Sequence, residues 1–125
     1  MIIGVGIDLV DIERVARLIE DPRFLNKVYS ESEQRYIKAQ GKGAAQSAAA
    51  MFAAKEAFSK ALGTGFRGMA LSSVTVEHNE LGAPYLVLSE RAGEAAEKLC
   101  AEFFLSLTHT DTAAGAVVVA QKKYR

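Results

Sequence analysis

A glutamate and a lysine four residues apart, Glu56 and Lys60, are the first pair in this sequence with the potential for chemistry. In a helix this spacing places both side chains on one face, in the order that favours an ion pair. One interpretation is a surface pair that contributes about 0.2 to 0.5 kcal/mol. The other makes Glu56 an oxygen ligand of a hard divalent cation and Lys60 a positive charge for a neighbouring phosphate, a combination used in phosphoryl transfer. The spacing is compatible with both.

Asp8 is the best candidate for a second metal ligand, because Mg²⁺ takes one or two protein carboxylates and fills its other positions with water and substrate phosphate. Residues 2–10 alternate as in a β-strand, so Asp8 shares a face with Gly4 and Gly6. Two missing side chains leave room for a backbone or a ligand beside the carboxylate. The alternative is a turn or cap aspartate, and spacing alone does not show that Asp8 and Glu56 meet.

His109 ends an apolar strand pattern and precedes the polar link Thr110-Asp111-Thr112. At this position the imidazole could contact either a structural partner within the protein or a substrate. His78 lies next to a predicted turn, where we expect it to be solvated. Cys100 has no second cysteine to pair with and no metal or nucleophile motif around it, so we expect a packing role.

The elements that position these residues follow from periodicity and capping signals. After the strand, a helix over about 12–20 is predicted, with Asp11 as its cap and Asp21-Pro22 as its end. Ser30 and Glu33 form a capping box that predicts a second helix, ending near Gly41.

An alanine-rich stretch at 44–62 predicts the longest helix, which Gly63 ends. Met51, Phe58 and Leu62 define its buried stripe. Lys55 falls inside this stripe, and we expect its ammonium group to extend to the edge of the core.

The rest of the chain predicts strands at 73–78 and 83–88 around a turn with Gly82, a helix from Ser89 to about Glu102, and strands at 103–109 and 114–120. This order favours an α+β fold with a mostly antiparallel sheet packed against a long central helix and shorter helices. We expect residues 1–125 to form a single domain.

The composition argues against several classes of protein. Half of the 125 residues are hydrophobic and two are proline, which is atypical of disorder. Fifteen basic residues balance fifteen acidic ones, so no global positive field favours nucleic acid. The apolar run at the start stops at Asp8, so we expect neither a signal peptide nor a membrane span, and a cytoplasmic location. Gly63-Thr64-Gly65 lacks the Lys-Ser/Thr of a P-loop, although its backbone amides remain available to a phosphate.

Four segments together resemble the short, bacterial holo-(acyl-carrier-protein) synthase type of the 4'-phosphopantetheinyl transferase superfamily. They are Gly4-Val5-Gly6-Ile7-Asp8-Leu9-Val10 followed by Ile12 and Arg14, the block from Phe52 to Gly65, the Gly82-Ala83-Pro84 turn, and Ser106-Leu107-Thr108-His109-Thr110. The resemblance covers nearly the whole chain.

The resemblance implies transfer of the phosphopantetheine arm of coenzyme A to a serine of an acyl carrier protein, with Mg²⁺ and with release of adenosine 3',5'-bisphosphate. It implies that Asp8 and Glu56 are metal ligands and that Lys60 lies against the coenzyme A phosphates. His109 and Thr110 match the stretch that lines the coenzyme A site. Glu56 or a metal-bound water would be the base that takes the serine proton.

The resemblance also implies contacts with other chains. Carrier proteins of this class are acidic, and Arg14 matches a docking position of the family. Arg17 lies three residues further along the same helix, where docking and a solvated face are both compatible with its position. The family is commonly trimeric, with sites at subunit boundaries. One departure is Met51, which stands where the family usually has arginine.

Two other functions are compatible with these residues. One is an inactive, oligomeric scaffold that binds carriers, and the other is a Mg²⁺-dependent phosphohydrolase. A scaffold does not need Asp8, Glu56, Lys60 and His109 together.

Overall fold

A computed structural model describes residues 1–65 and 68–123 of the chain. The first half contains strand β1 (Ile2–Asp11) and helices α1 (Ile12–Leu18), α2 (Pro22–Val28), α3 (Glu31–Ala39) and α4 (Ala44–Leu62), with a 3₁₀ turn at Gly41–Gly43. The second half contains a 3₁₀ turn at Leu71–Ser73, β2 (Val74–His78), β3 (Pro84–Leu88), α5 (Glu90–Leu99), β4 (Ala101–His109) and β5 (Ala113–Lys122).

The strands form two antiparallel sheets, one with the order β1-β5-β4 and one in which β2 pairs with β3. The prediction of an α+β fold with antiparallel strands around a long helix is confirmed. The sheet is divided, however, because β2 and β3 pair with each other as a local hairpin. At the turn of this hairpin Gly82 has a φ of 85°, a left-handed conformation that glycine adopts without a steric penalty.

Helix α4 lies against β1 at very short range, because two glycines of the strand face the backbone of the helix. A Cβ atom at Gly4 would collide with the carbonyl oxygen of Ala61, and one at Gly6 with that of Ala57. The space that the sequence predicted beside Asp8 is therefore filled by the backbone of α4. This close approach brings the side chains of α4 to the end of β1.

The other face of the three-stranded sheet is apolar and exposed. Alternation along β1 turns its larger side chains away from α4, and Leu9 is 72% exposed. Phe104 of β4, on the same face, is 50% exposed. The exposed apolar residues that β1 contributes to this face are Ile3, Val5, Ile7 and Leu9. The described chain thus leaves one side of its main sheet without a covering layer.

Three features of the helices differ from prediction. Helix α2 was not predicted. Its first turn contains Pro22, and the Asp21 side chain accepts a hydrogen bond from the Arg23 amide at 2.9 Å. The dipeptide Asp21-Pro22 therefore follows the end of α1 and also starts α2. Asp11 occupies the cap position of α1, but its side chain makes no capping hydrogen bond. Helix α5 ends at Leu99 rather than near Glu102, because Cys100 has a φ of 52° and breaks the helix.

The prediction for Lys55 is wrong. Its side chain is fully buried, and its Nζ atom lies 2.7 Å from Oε1 of Glu33. Glu33 closes the predicted capping box with Ser30, which is confirmed, and also receives the lysine. A buried carboxylate from another helix therefore retains the ammonium group inside the core.

Candidate functional site

The predicted site begins with an ion pair between β1 and α4. Lys60 donates from Nζ to Oδ1 of Asp8 at 3.2 Å and to the carbonyl oxygen of Ile7 at 2.9 Å. The Asp8 side chain is 18% exposed, whereas that of Lys60 is 56% exposed. The lysine thus pairs with a residue 52 positions away, a contact that only the fold creates.

Glu56 lies close enough to Asp8 for the two carboxylates to interact. Burial raises the pKa of the Glu56 carboxyl, the negative charge of Asp8 raises that pKa further, and the positive charge of Lys60 opposes both effects. Two carboxylates that repel each other favour a cation between them. The structure therefore brings together Asp8, Glu56 and Lys60, which the sequence had singled out separately.

The donor set suits a cation that shares its ligands with a substrate. Among residues 1–65 and 68–123, no group of three or more His, Cys, Asp or Glu side chains could enclose a metal ion. Asp8 and Glu56 would supply two carboxylates. Mg²⁺ accepts such a site when water and phosphate oxygens complete its octahedron.

His109 and Thr110 lie at the end of β4. His109 pairs with Ala114, which pairs with Val10, so the histidine is two strands across from the end of β1. Its Nδ1 atom lies 3.3 Å from the carbonyl oxygen of Thr110. The Thr110 hydroxyl accepts the Ala113 amide at 3.0 Å, so this side chain shapes the turn between β4 and β5.

A cleft of about 160 Å³ opens next to His109. The rings of Tyr36 and His78 stack along it, with centroids 4.2 Å apart and planes 5° from parallel. Met51, at the position where the family usually has arginine, also lines the cleft and is almost fully buried. The expectation that His78 is solvated is therefore wrong: it is half-buried, and this burial lowers its pKa while Glu77 opposes the shift.

Sequence reasoning missed Tyr36 and His78 as residues of this cleft. Tyr36 is on α3 and His78 on β2, and their stacking depends on how those elements pack. The only local signal was the position of His78 at a strand end, the same signal that singled out His109.

Gly63 ends α4 in a left-handed conformation with a φ of 87°, and its amide donates to the carbonyl oxygen of Ser59 at 3.2 Å. The predicted helix stop is confirmed. The space where a Cβ atom would stand is open, so the backbone of Gly63 is accessible from that side.

Arg14 and Arg17 are exposed on α1, as the helical periodicity predicted. Arg17 donates to Oε1 of Glu13 at 3.0 Å, in an exposed pair one turn apart. The two arginines are therefore not equivalent, because a neighbouring acid already engages Arg17. Within the described part of the chain, no helix has the length and apolar character needed to cross a membrane.

Comparisons with known proteins agree on one family. Residues 4–117 match the sequence model of the 4'-phosphopantetheinyl transferase superfamily. A holo-(acyl-carrier-protein) synthase of Treponema denticola is 43% identical over 120 residues, which cover 95% of this chain and 98% of the relative.

Solved structures show the same fold. That of a holo-(acyl-carrier-protein) synthase from Neisseria meningitidis has a TM-score of 0.89 at 32% identity and covers 98% of this chain and 100% of the other. A holo-(acyl-carrier-protein) synthase from Bacillus anthracis, in complex with CoA (3',5'-ADP), has a TM-score of 0.83 at 30% identity, with 98% and 99% covered.

Proposed function

This chain belongs to the 4'-phosphopantetheinyl transferase superfamily, and we propose that Asp8, Glu56 and Lys60 form the centre at which it acts. The chain transfers the 4'-phosphopantetheine moiety of coenzyme A to a serine of apo acyl carrier protein. The products are holo carrier protein and adenosine 3',5'-bisphosphate. The observation that carries the proposed site is the convergence of two carboxylates and one ammonium group at the end of β1.

The reaction requires compensation of negative charge. Coenzyme A presents a pyrophosphate, which repels an incoming oxygen nucleophile and accumulates charge on the leaving phosphate. Asp8 and Glu56 would hold Mg²⁺, which supplies positive charge to the phosphate oxygens when bound. Lys60 is more than half exposed, so its ammonium group is able to donate to a phosphate oxygen while it stays near Asp8.

The serine of the carrier must lose a proton as it attacks. Glu56 is the candidate base within this chain, because its carboxylate lies beside the positions proposed for the cation and the reacting phosphate. The cleft beside His109 would hold a more distant part of coenzyme A, and the amide region at Gly63 is the remaining candidate contact for phosphate.

The carrier would dock on α1. Arg14 and Arg17 present two guanidinium groups to solvent, and acidic carriers are attracted to such a surface. We propose a homotrimer as the working assembly, with sites at subunit boundaries, and the exposed apolar face of β1 and β4 supports self-association. In this proposal residues 1–125 act as one transferase domain in the cytoplasm and serve fatty acid biosynthesis.

The decisive experiment combines the purified protein with coenzyme A, Mg²⁺ and an apo carrier protein. Intact-mass spectrometry should show one added phosphopantetheine on the carrier, and chelation of divalent ions should stop the reaction. Addition of the full mass without divalent ions would contradict the metal proposal. Carrier binding without modification would favour a scaffold, and release of phosphate to water would favour a hydrolase.

A further inference from the structure

The largest buried polar cluster of the described chain lies outside the proposed site and is centred on Lys55. Its three ammonium protons have three acceptors: Oε1 of Glu33 at 2.7 Å, the carbonyl oxygen of Leu71 at 3.1 Å and that of Val74 at 2.5 Å. Neither Lys55 nor Glu33 exposes any side-chain surface. The pair therefore does not contact a ligand from solvent.

Glu33 adds two backbone contacts to this cluster. Its Oε2 atom accepts the Val76 amide at 2.8 Å, and its Oε1 atom accepts the Ser30 amide at 2.9 Å. One buried ion pair thus connects α3, α4, the turn at Leu71–Ser73 and β2. Each connection is a hydrogen bond with a preferred direction.

Stability alone does not explain the pair. Burial of two charges costs several kcal/mol per ion, and apolar residues of similar volume are often as stable or more stable in such positions. An apolar pair would not fix the relative orientation of the two helices in the same way, because hydrophobic contacts are non-directional.

Helix α4 has a particular need for directional contacts. Six of its eleven buried residues are alanines, and it faces glycines on β1. Such short side chains form shallow ridges that oppose rotation of a helix only weakly. The buried alanines are Ala48, Ala49, Ala53, Ala54, Ala57 and Ala61.

Rotation of α4 would displace the proposed site. Glu56 is the next residue after Lys55, and Lys60 lies about one turn further. At the helix surface, about 5 Å from the axis, a rotation of about 20° moves a side-chain atom by about 2 Å. A misplacement of about 1 Å is enough to reduce catalysis about 100-fold.

We propose that the buried Lys55–Glu33 pair is a positioning device, which sets the rotation of α4 and so directs Glu56 and Lys60 towards Asp8. This inference rests on the proposed function of those three residues. Lys55 and Glu33 are positioning residues, since they touch neither substrate nor the reacting atoms.

The test is the double variant Glu33→Gln/Lys55→Met, which removes both charges together and leaves no unpaired buried ion. Glutamine preserves the capping box with Ser30, and methionine approximates the length of lysine. We expect a folded protein whose kcat is reduced about 30-fold or more, because the site residues are misdirected. The KM for the carrier should stay within about 3-fold, because Arg14 lies on a different helix.

Two controls separate positioning from loss of stability. Ile37→Ala loosens the packing of α3 without removing a hydrogen bond of Lys55, and its kcat should stay within about 3-fold of the parent. If the double variant does not fold, Lys55→Arg keeps both charges but changes the direction of the hydrogen bonds, and it should lower kcat by a smaller factor and leave the carrier KM unchanged.

A crystal structure of the variant provides a measurement that does not depend on activity. We expect the separation of Lys60 Nζ and Asp8 Oδ1 to increase from 3.2 Å to beyond bonding distance. An unchanged separation, or parental turnover in the folded double variant, would overturn the inference. If the parent itself lacks transferase activity, the proposed function fails, while the structural measurement still tests the positioning.

Discussion

Nζ of Lys60 lies 3.2 Å from the Asp8 carboxylate and 2.9 Å from the carbonyl oxygen of Ile7, so a side chain of α4 closes over the end of β1. The lysine offsets part of the negative charge that Asp8 and Glu56 bring together. A substrate phosphate would compete for the same ammonium group, whereas a divalent cation would take over its role towards the carboxylates. Binding of both ligands is therefore coupled through one short contact.

We predict that Asp8→Asn reduces transfer by at least about 100-fold, a loss typical of removing a group that stabilises transition-state charge. Asparagine keeps the shape of the side chain but loses its charge, so the fold should remain intact. The measurement is the initial rate of carrier modification by mass spectrometry. Asp11→Asn is the matched control, since Asp11 is exposed and makes no capping hydrogen bond, and it should retain parental rates.

Glu56→Gln should reduce transfer to a similar extent, because it removes both a proposed metal ligand and the candidate base. A further measurement is protection by Mg²⁺ against thermal unfolding. The parent should gain stability as Mg²⁺ is added. The variant should gain less, because a ligand that binds more weakly stabilises the folded state less. Ordinary turnover in this variant would refute the role of Glu56.

Glu56 should also make stability depend on pH in the absence of divalent ions. Because its pKa in the folded chain lies above the ordinary value, the folded state holds the proton more tightly than the unfolded state. Stability contributed by this group is therefore present at low pH and lost as pH rises through the raised pKa. Urea unfolding of the parent and Glu56→Gln across pH 4 to 8 should show the variant gaining relative to the parent as pH increases. A constant difference would contradict the assignment.

Much of this architecture follows from local patterns. The ends of α4, the capping box of α3 and the hairpin turn at Gly82 depend on residues a few positions apart, so the sequence predicts them. Helix α2 was missed although its signal was local, because Asp21-Pro22 both ends one helix and begins another.

The contacts that make the site depend instead on distant residues. Lys60 could equally have paired with Glu56 one turn away, and only the approach of α4 to Gly4 and Gly6 brings it to Asp8. Lys55 looked like a residue at the edge of the core, because its partner Glu33 lies 22 positions earlier. The convergence of Asp8 and Glu56 was a hypothesis from ligand chemistry that the family resemblance strengthened, since spacing carries no information about it.

Gly6→Ala should destabilise the protein and reduce transfer together. The added Cβ would overlap the carbonyl oxygen of Ala57, a backbone atom that moves only if α4 moves. Overpacking of this kind costs about 1 to 3 kcal/mol or more. Urea unfolding measures the loss of stability. Gly82→Ala is the control, since a Cβ atom added there would meet no neighbouring atom. The left-handed φ at this position should lower the free energy of unfolding by about 1 to 2 kcal/mol, without loss of transfer.

Arg14→Glu should raise the KM for the carrier more than Arg17→Glu does. Arg17 already donates to Glu13, whereas none of the described ion pairs involves Arg14. Both effects should weaken with added salt, and the KM for coenzyme A should stay constant. Glu13→Gln is the informative reverse variant, because it releases Arg17 and should lower the carrier KM. Equal carrier KM values for all variants would place docking elsewhere.

Ile7→Lys should dissociate the proposed trimer. Ile7 lies in the exposed apolar face of β1, next to the site formed by Asp8, and burial of such a face would supply association energy. A charge there would have to be desolvated, so association is expected to fail while the chain still folds. Sedimentation equilibrium should give the trimer mass for the parent and the monomer mass for the variant. Val87→Lys is the control, because Val87 is also an exposed apolar strand residue but belongs to the other sheet. If Ile7→Lys lowers transfer together with the mass, sites at subunit boundaries gain support, whereas a monomeric parent would refute the trimer.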